Sequence, residues 1–236
     1  MGAGRVARGW VAAGSRLAVM PQGVYSFHDP HDGTPRGGER FICAPGPMGW
    51  RYTGSGLPGP GGAGSGSSRT VDLTVDARGR PLRVELVARG WRVRGGTAAV
   101  DGAAGVLWVR GPADPDVAEE PVEGRAKAVG FAGRSPAFLV AAARLLGLAP
   151  GQSVRVRLVD LTEPVLAPHP CDQAWALTGI EEHPTPIGPL AVSRYEVADL
   201  ATGVRGVVHL AGDVVLAAPG VELEELDGPP NRVWPG

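Results

Sequence analysis

Lysine is nearly absent from this chain. Lys127 is the only one among 236 residues, and arginine supplies every other member of a basic set of 23 that faces 24 acidic side chains. The bias reads as the coding preference of a GC-rich genome rather than as chemistry. A formal net charge of −1 leaves no basic footprint, so nucleic acid is not an expected partner. Cysteine is equally scarce. Cys43 and Cys171 are the only two, too few for a disulfide framework, and they are expected to be core thiols. No apolar run reaches the roughly 18 residues of a membrane-spanning helix. The opening stretch carries Arg5 and Arg8 with no sustained apolar segment behind them. That is not the pattern of a secretory signal, so a cytoplasmic protein is expected.

Several catalytic signatures are also missing. No glycine loop runs into Gly-Lys-Ser/Thr, so no P-loop is present. Gly54 to Gly59, GSGLPG, formally matches a dinucleotide-binding glycine pattern, but Pro58 interrupts it and no helix follows. GRSPA, residues 133–137, sets Ser135 between a strand and a helix, as a nucleophile elbow would. The residue after that serine is Pro136, which has no N–H to give to an oxyanion hole. Ser135 therefore reads as a helix cap. No cofactor is implied.

What the chain does have is glycine and proline, 37 and 23 of them, spread between short alternating runs. TVDLTVD puts Val71, Leu73 and Val75 on one face, with Asp72, Thr74 and Asp76 on the other. LRVELVARG continues with Leu82, Val84 and Leu86 opposite Arg83 and Glu85, which makes a half-buried antiparallel hairpin. SVRVRLVD repeats the pattern through Val154, Val156 and Leu158. Further strands are expected at 22–28, 38–44, 48–53, 91–94, 105–110, 173–181, 189–198, 204–211, 213–217 and 221–226. So many short strands with short connections predict an antiparallel sandwich or barrel.

One segment breaks this rhythm. SPAFLVAAARLLGLAPG, residues 135–151, reads as a helix with almost no polar side, since Arg144 is its only charge between Ala137 and Leu146. Ser135 caps it, Pro136 suits its first turn and Gly147 its end. A helix apolar all round must be buried all round. The expected fold is therefore mainly β: one domain, 1–236, with a strongly curved antiparallel sheet, half-barrel or barrel, and the apolar helix packed in its concave face. Phe138, Leu139, Ala142, Leu145 and Leu146 should then be almost inaccessible. Residues 54–68 are expected to form a flexible Gly/Ser/Pro loop and residues 111–124 an acidic one.

HDPHD, residues 28–32, offers two histidines and two aspartates, yet Asp-Pro and Asp-Gly make it a turn, and no metal is expected there. Glu181, Glu182 and His183 cannot share one side of a regular strand, because successive residues point to opposite faces. Arg194 alternates in phase with Leu190 and Val192. It is either a sheet-rim arginine or, if that face is inward, a buried cation that needs an anionic partner. Trp91, Trp108 and Trp175 fall in or beside strands, where aromatics on a concave apolar surface suit lipid-like ligands.

Two stretches carry a resemblance. GVYSFHDPHDGTPRGGERFICAPGPMGWRYTG, residues 23–54, contains the Gly37-Gly38-Glu39 turn and the Gly49-Trp50 strand. LGLAPGQSVRVRLVD and the later WALTGIEEHPTPIGPLAVSRYEV contain a helix ending in Leu-x-Pro-Gly, then a Thr185–Gly188 turn before Arg194 and Tyr195. Over about half the chain this is similar to a bacterial half-barrel family akin to periplasmic lipoprotein carriers and glycolipid-binding proteins. The resemblance implies a half-open barrel with a helical plug and an apolar concave face. The expected function is non-enzymatic binding of a hydrophobic or amphipathic, lipid-like small molecule. Its wall would be Trp91, Trp108, Phe138, Ala142, Leu145 and Trp175, with Arg194 and Tyr195 near a polar head. The alternatives are an enzyme, such as a cyclase acting on an apolar metabolite in the same kind of pocket, and a structural or assembly protein with a filled core. No signal for an oligomeric state is present.

Overall fold

A computed structural model of the chain describes residues 20–46, 49–60, 69–186 and 188–231. The first limb of the chain carries β1 (Gln22–His28), β2 (Pro35–Gly46), β3 (Gly49–Leu57), β4 (Thr70–Asp76), β5 (Pro81–Ala88), β6 (Trp91–Val100), β7 (Ala103–Pro112) and β8 (Val122–Ala126). Then come β9 (Gly130–Ala132) and the helix α1 (Pro136–Leu146). The second limb carries β10 (Ser153–Thr162), β11 (Ala167–His183), β12 (Leu190–Asp199), β13 (Arg205–Ala211), β14 (Val214–Ala218) and β15 (Val221–Asp227).

The 15 strands of the described residues form one curved sheet, ordered from β8 down to β1, then from β15 down to β9. Every neighbour pair is antiparallel except β9 with β10. The first and last strands meet in the middle, where Gln22 lies opposite Asp227. The two sheet edges, β8 and β9, are consecutive in sequence but share no ladder among the described residues. Side chains bring the limbs together instead. Arg110 on β7 donates from Nε to the Val165 carbonyl in the β10–β11 turn at 2.8 Å. The Phe131 ring on β9 packs so close to Gly95 on β6 that a Cβ there would lie 2.9 Å from it. The fold is mainly β, with one helix and a large sheet that curls without closing.

Alternation fills the interior as the sequence predicts. Val71, Leu73 and Val75 are buried on β4, and Val84 and Leu86 on β5. Leu82, expected inward, is 56% exposed, and Pro81 is buried in its place. The register slips between Thr74 and Val75, which oppose Arg83 and Pro81, so Leu82 is the extra residue of a bulge and turns outward. Across β1 to β3 the core is aromatic. Tyr25 stacks on Phe41 at 4.5 Å, and Phe41 lies 5.7 Å from Tyr52, which in turn meets Trp50 at 5.7 Å.

Three boundaries differ from expectation. Gly54 to Leu57, read as loop, complete β3 and pair with β2, and Gly54 and Ser55 pair with β4 as well. Their glycines serve packing, because a Cβ on Gly54 would lie 2.8 Å from the Glu39 carboxyl group. Residues 58–60 follow without strand structure, and 61–68 lie outside the described residues. The acidic segment 111–124 lends its ends to β7 and β8, leaving 113–121 as the connection. β8 and β9 themselves carry no alternating signal and were not expected. The second is only three residues long.

The helix starts as its capping residues predict. Ser135 is extended and accepts the Ala137 N–H at 3.3 Å, and Gly147 ends the helix in the left-handed region at φ 52°. Its buried residues are Pro136 to Phe138 and Val140 to Ala143. Leu139, Leu145 and Leu146, expected to be inaccessible, are half-buried. The reason is size: three successive alanines let the helix backbone approach β9 and β14 closely, which turns the leucines toward its margins. The last turn rests on the β4–β5 turn, where a Cβ on Gly79 would lie 2.5 Å from the Leu145 nitrogen.

Candidate functional site

Among the described residues two carboxylates are fully buried, one near each end of α1. Glu39 on β2 is 1% exposed. It accepts hydrogen bonds from the Tyr52 hydroxyl at 2.5 Å, the Ser135 hydroxyl at 2.7 Å and Arg69 Nη1 at 2.9 Å. Arg69 also pairs through Nε with Glu163 at 2.7 Å, and Glu163 lies 3.7 Å from Arg134 Nη1. Both guanidinium groups lie against the Phe27 ring, 5.3 Å and 4.9 Å from its centroid. Burial pushes the Glu39 carboxyl group above the ordinary glutamate range, while Arg69, Tyr52 and Ser135 pull the other way. The same serine thus caps the helix and satisfies the buried acid. Sequence reading found the cap and missed the acid; the flanking Gly37 and Gly38 were its only signal.

Asp213, in the β13–β14 turn, is 0% exposed. It accepts from Trp50 Nε1 at 3.1 Å, the Asn231 N–H at 2.9 Å and Asn231 Nδ2 at 2.6 Å. The residues after β15 are thereby tied to β3. Arg144, in the last turn of α1, lies 6.0 Å from the centre of the Trp50 ring. Partial burial brings its guanidinium down to about 10, against the attraction of Asp213 and Asp76.

Each end of the helix also opens into a cavity. At the N-terminal end a cleft of about 790 Å³ runs between Leu139 and the β12–β13 and β14–β15 regions. Its apolar wall includes Leu139, Val197, Val208 and Val221, and its charged wall includes Arg36, Arg89, Arg134 and Arg205. Near the helix C-terminus a cavity of about 560 Å³ is bordered by Arg144, Leu177, Glu182, Leu190, Tyr195 and Leu210, among others. A third, of about 480 Å³, shares Val197, Arg205 and Gly206 with the first cleft.

The predicted wall residues do not come together. Tyr195 borders the 560 Å³ cavity and Trp175 the 480 Å³ one. Their rings meet edge-on at 5.8 Å, and Trp175 Nε1 donates to Gln173 Oε1 at 2.9 Å. Phe138 and Ala142 are core, and Leu145 is half-buried on the β4–β5 turn. Trp108 is pressed against Gly124, and Trp91 lies under the Arg110 guanidinium at 3.5 Å. Arg194 is partly exposed and bonded to Thr178 Oγ1 and Glu196. Trp91, Trp108, Phe138, Ala142, Leu145 and Arg194 border none of these three cavities. Periodicity assigned them to faces of elements, but it could not say which faces meet across the sheet.

The other polar motifs resolve locally. HDPHD is a turn in which Asp29 accepts the His31 N–H and Asp32 the Thr34 N–H. Glu181 and His183 face each other at 3.7 Å, while Glu182 borders a cavity instead. Cys43 is buried and Cys171 half-buried, and neither is in a disulfide. Burial and the nearby carboxylates of Asp160, Asp199 and Asp172 push the Cys171 thiol up to about 11, far from a reactive thiolate.

The class this geometry defines is a β-barrel-like protein: a large curved sheet that does not close, with one helix among the described residues. Comparison with solved structures agrees at the level of fold. The chain is similar to a β-barrel-like protein of the domain of unknown function DUF1849 from Brucella abortus, with a TM-score of 0.50 and 15% identity over 89% of this chain and 98% of that one. It also matches a DUF1089 family protein from Pseudomonas aeruginosa, with a TM-score of 0.43 and 16% identity over 90% of this chain and 97% of that one. No protein-family model matches the chain, and no curated protein matches it in sequence. No helix among the described residues is long and apolar enough to cross a membrane.

Proposed function

We propose that this protein binds a hydrophobic or amphipathic small molecule without transforming it, and that the molecule lies in the 790 Å³ cleft beside the N-terminal half of α1. In this reading the helix occupies the concave side of the sheet and is the floor of the site rather than a complete plug. The observation that carries the reading is the lining of the cleft, where Leu139 and three valines adjoin four arginines within one volume. A space of that size is typical of small-molecule sites, which fall at about 300–1,000 Å³, although its wall is more charged than is usual for them. Burial of an acyl or prenyl chain would supply affinity at roughly 0.8 kcal/mol per methylene. The arginines would hold a polar head. This function resembles the carrier role implied by the sequence motifs, but it rests on different residues from those the motifs suggested.

Native mass spectrometry of the purified protein, followed by solvent extraction, tests the reading. A co-purifying amphipath is expected, and Leu139→Trp, which fills the cleft from the helix side, should remove it with little change in melting temperature. A protein that carries no such molecule and takes up no fluorescent apolar probe would leave the filled-core scaffold as the better account.

A further inference from the structure

From the charges that line this cleft we infer that its ligand is an amphipath with an anionic head, a phosphate or carboxylate, rather than a neutral or cationic one. The inference rests on the binding function proposed above and names the chemistry of its ligand. Arg36, Arg89, Arg134 and Arg205 line the cleft against two carboxylates, Asp29 and Asp199. Both carboxylates are already engaged. Asp29 accepts from Arg36 at 3.0 Å and from the His31 N–H at 3.0 Å. Asp199 takes the N–H groups of Ala201 and Thr202 and the Thr202 hydroxyl, all within its own turn.

The arginines are less well matched. Arg134 donates to the Arg36 carbonyl at 3.1 Å and reaches Glu163 only at 3.7 Å. Burial, together with the neighbouring charges of Arg69, Arg36 and Arg89, lowers its pKa despite Glu163. Arg89 and Arg205 form no ion pair with a carboxylate among the described residues. Arg89 moreover sits in the left-handed region at φ 47°, where a side chain is disfavoured and glycine or asparagine would serve a tight turn better. Guanidinium groups bind phosphate and carboxylate oxygens in pairs, which suits an anionic head held by arginines that line one cleft. The apolar wall of Leu139, Val197 and Val208 then lies beside that head, where a chain can leave water.

The test is calorimetric titration of the full chain, below micelle-forming concentrations, with three probes: n-dodecyl phosphate, n-dodecyl maltoside and inorganic phosphate. Dodecyl phosphate is expected to bind at least about tenfold more tightly than the maltoside, as charge-assisted contacts imply. Inorganic phosphate should bind far more weakly than either. In the double variant Arg89→Gln/Arg205→Gln the preference should disappear while the melting temperature holds, and Arg83→Gln, outside the cleft, should leave it intact. Equal affinity for the two dodecyl probes, or a preference that survives the double variant, would overturn the anionic head but keep the binding function. Binding of inorganic phosphate as tight as that of dodecyl phosphate would keep the anion site and overturn the amphipath. Binding of none of the three would overturn both.

Discussion

At its two ends α1 meets two buried carboxylates held by different kinds of donor. Around Glu39 the donors are a guanidinium and two hydroxyls, and the guanidinium passes its charge on to Glu163 and toward Arg134. Around Asp213 the donors are neutral, an indole N–H and the backbone and side-chain amides of Asn231. The helix dipole favours the Glu39 carboxylate near the N-terminus and Arg144 in the last turn, whereas Asp213 near the C-terminal end opposes it and is held by its own donors. The two arrangements differ in what they leave at the surface. The Glu39 end continues into a cleft with four arginines and two occupied aspartates, whereas the Asp213 end opens into a cavity with Arg144 and Glu182 in near balance. A buried acid satisfied by neutral groups is a structural tie. A buried acid satisfied by a guanidinium belongs to a wider ion network, here Glu39 and Glu163 with Arg69 and Arg134.

The largest expected loss of stability is at Glu39. Glu39→Ala removes one of the two carboxylates that hold a guanidinium only 11% exposed, leaving it Glu163 alone, and takes the acceptor from two buried hydroxyls. Chemical denaturation should show a loss of about 3–5 kcal/mol, the range for breaking a buried pair from one side. Phe138→Ala, in the core beside the same end, should cost about 3 kcal/mol. Asp213→Ala leaves the Trp50 indole and Asn231 without their acceptor and should cost about 2–3 kcal/mol. It should also free the residues after β15, which limited proteolysis would detect. Leu139→Ala should cost only about 1–2 kcal/mol, because that side chain borders open space. A loss at Leu139 as large as that at Phe138 would mean that the cleft is filled.

The smallest effect is one of pH. The folded-state pKa of Glu39 is raised by burial, so the native protein holds this proton more firmly than the unfolded chain. Its contribution to stability is then fully present below the ordinary glutamate value and is lost as pH rises through the raised one. The stability difference between the wild type and Glu39→Gln should therefore fall as pH rises through this window. A difference that grows instead would mean that Arg69 outweighs burial.

Much of the fold is legible in local pattern. The hairpin of β4 and β5, the strands of the second limb and both ends of α1 follow from alternation, turn residues and caps, each of which acts over a few residues. β8 and β9 escape because short edge strands with mixed exposure have no period to read. The glycine-rich end of β3 escapes because its glycines answer to Glu39 on the next strand rather than to a turn. The candidate site was hardly legible. Of the residues selected for it, Tyr195 and Trp175 reach cavity walls, but those walls belong to separate cavities. The arginines of the N-terminal cleft lie in four unrelated segments, at 36, 89, 134 and 205. None stands out among 22 arginines in a chain with a single lysine. Hydrophobic spacing and backbone preference are properties of neighbours, so the many strands and the one apolar helix can be read from local pattern alone. Only the tertiary structure decided which charges are buried and which are gathered around one cavity. Burial and Coulomb attraction depend on distance in space, and the curl of the sheet sets that distance.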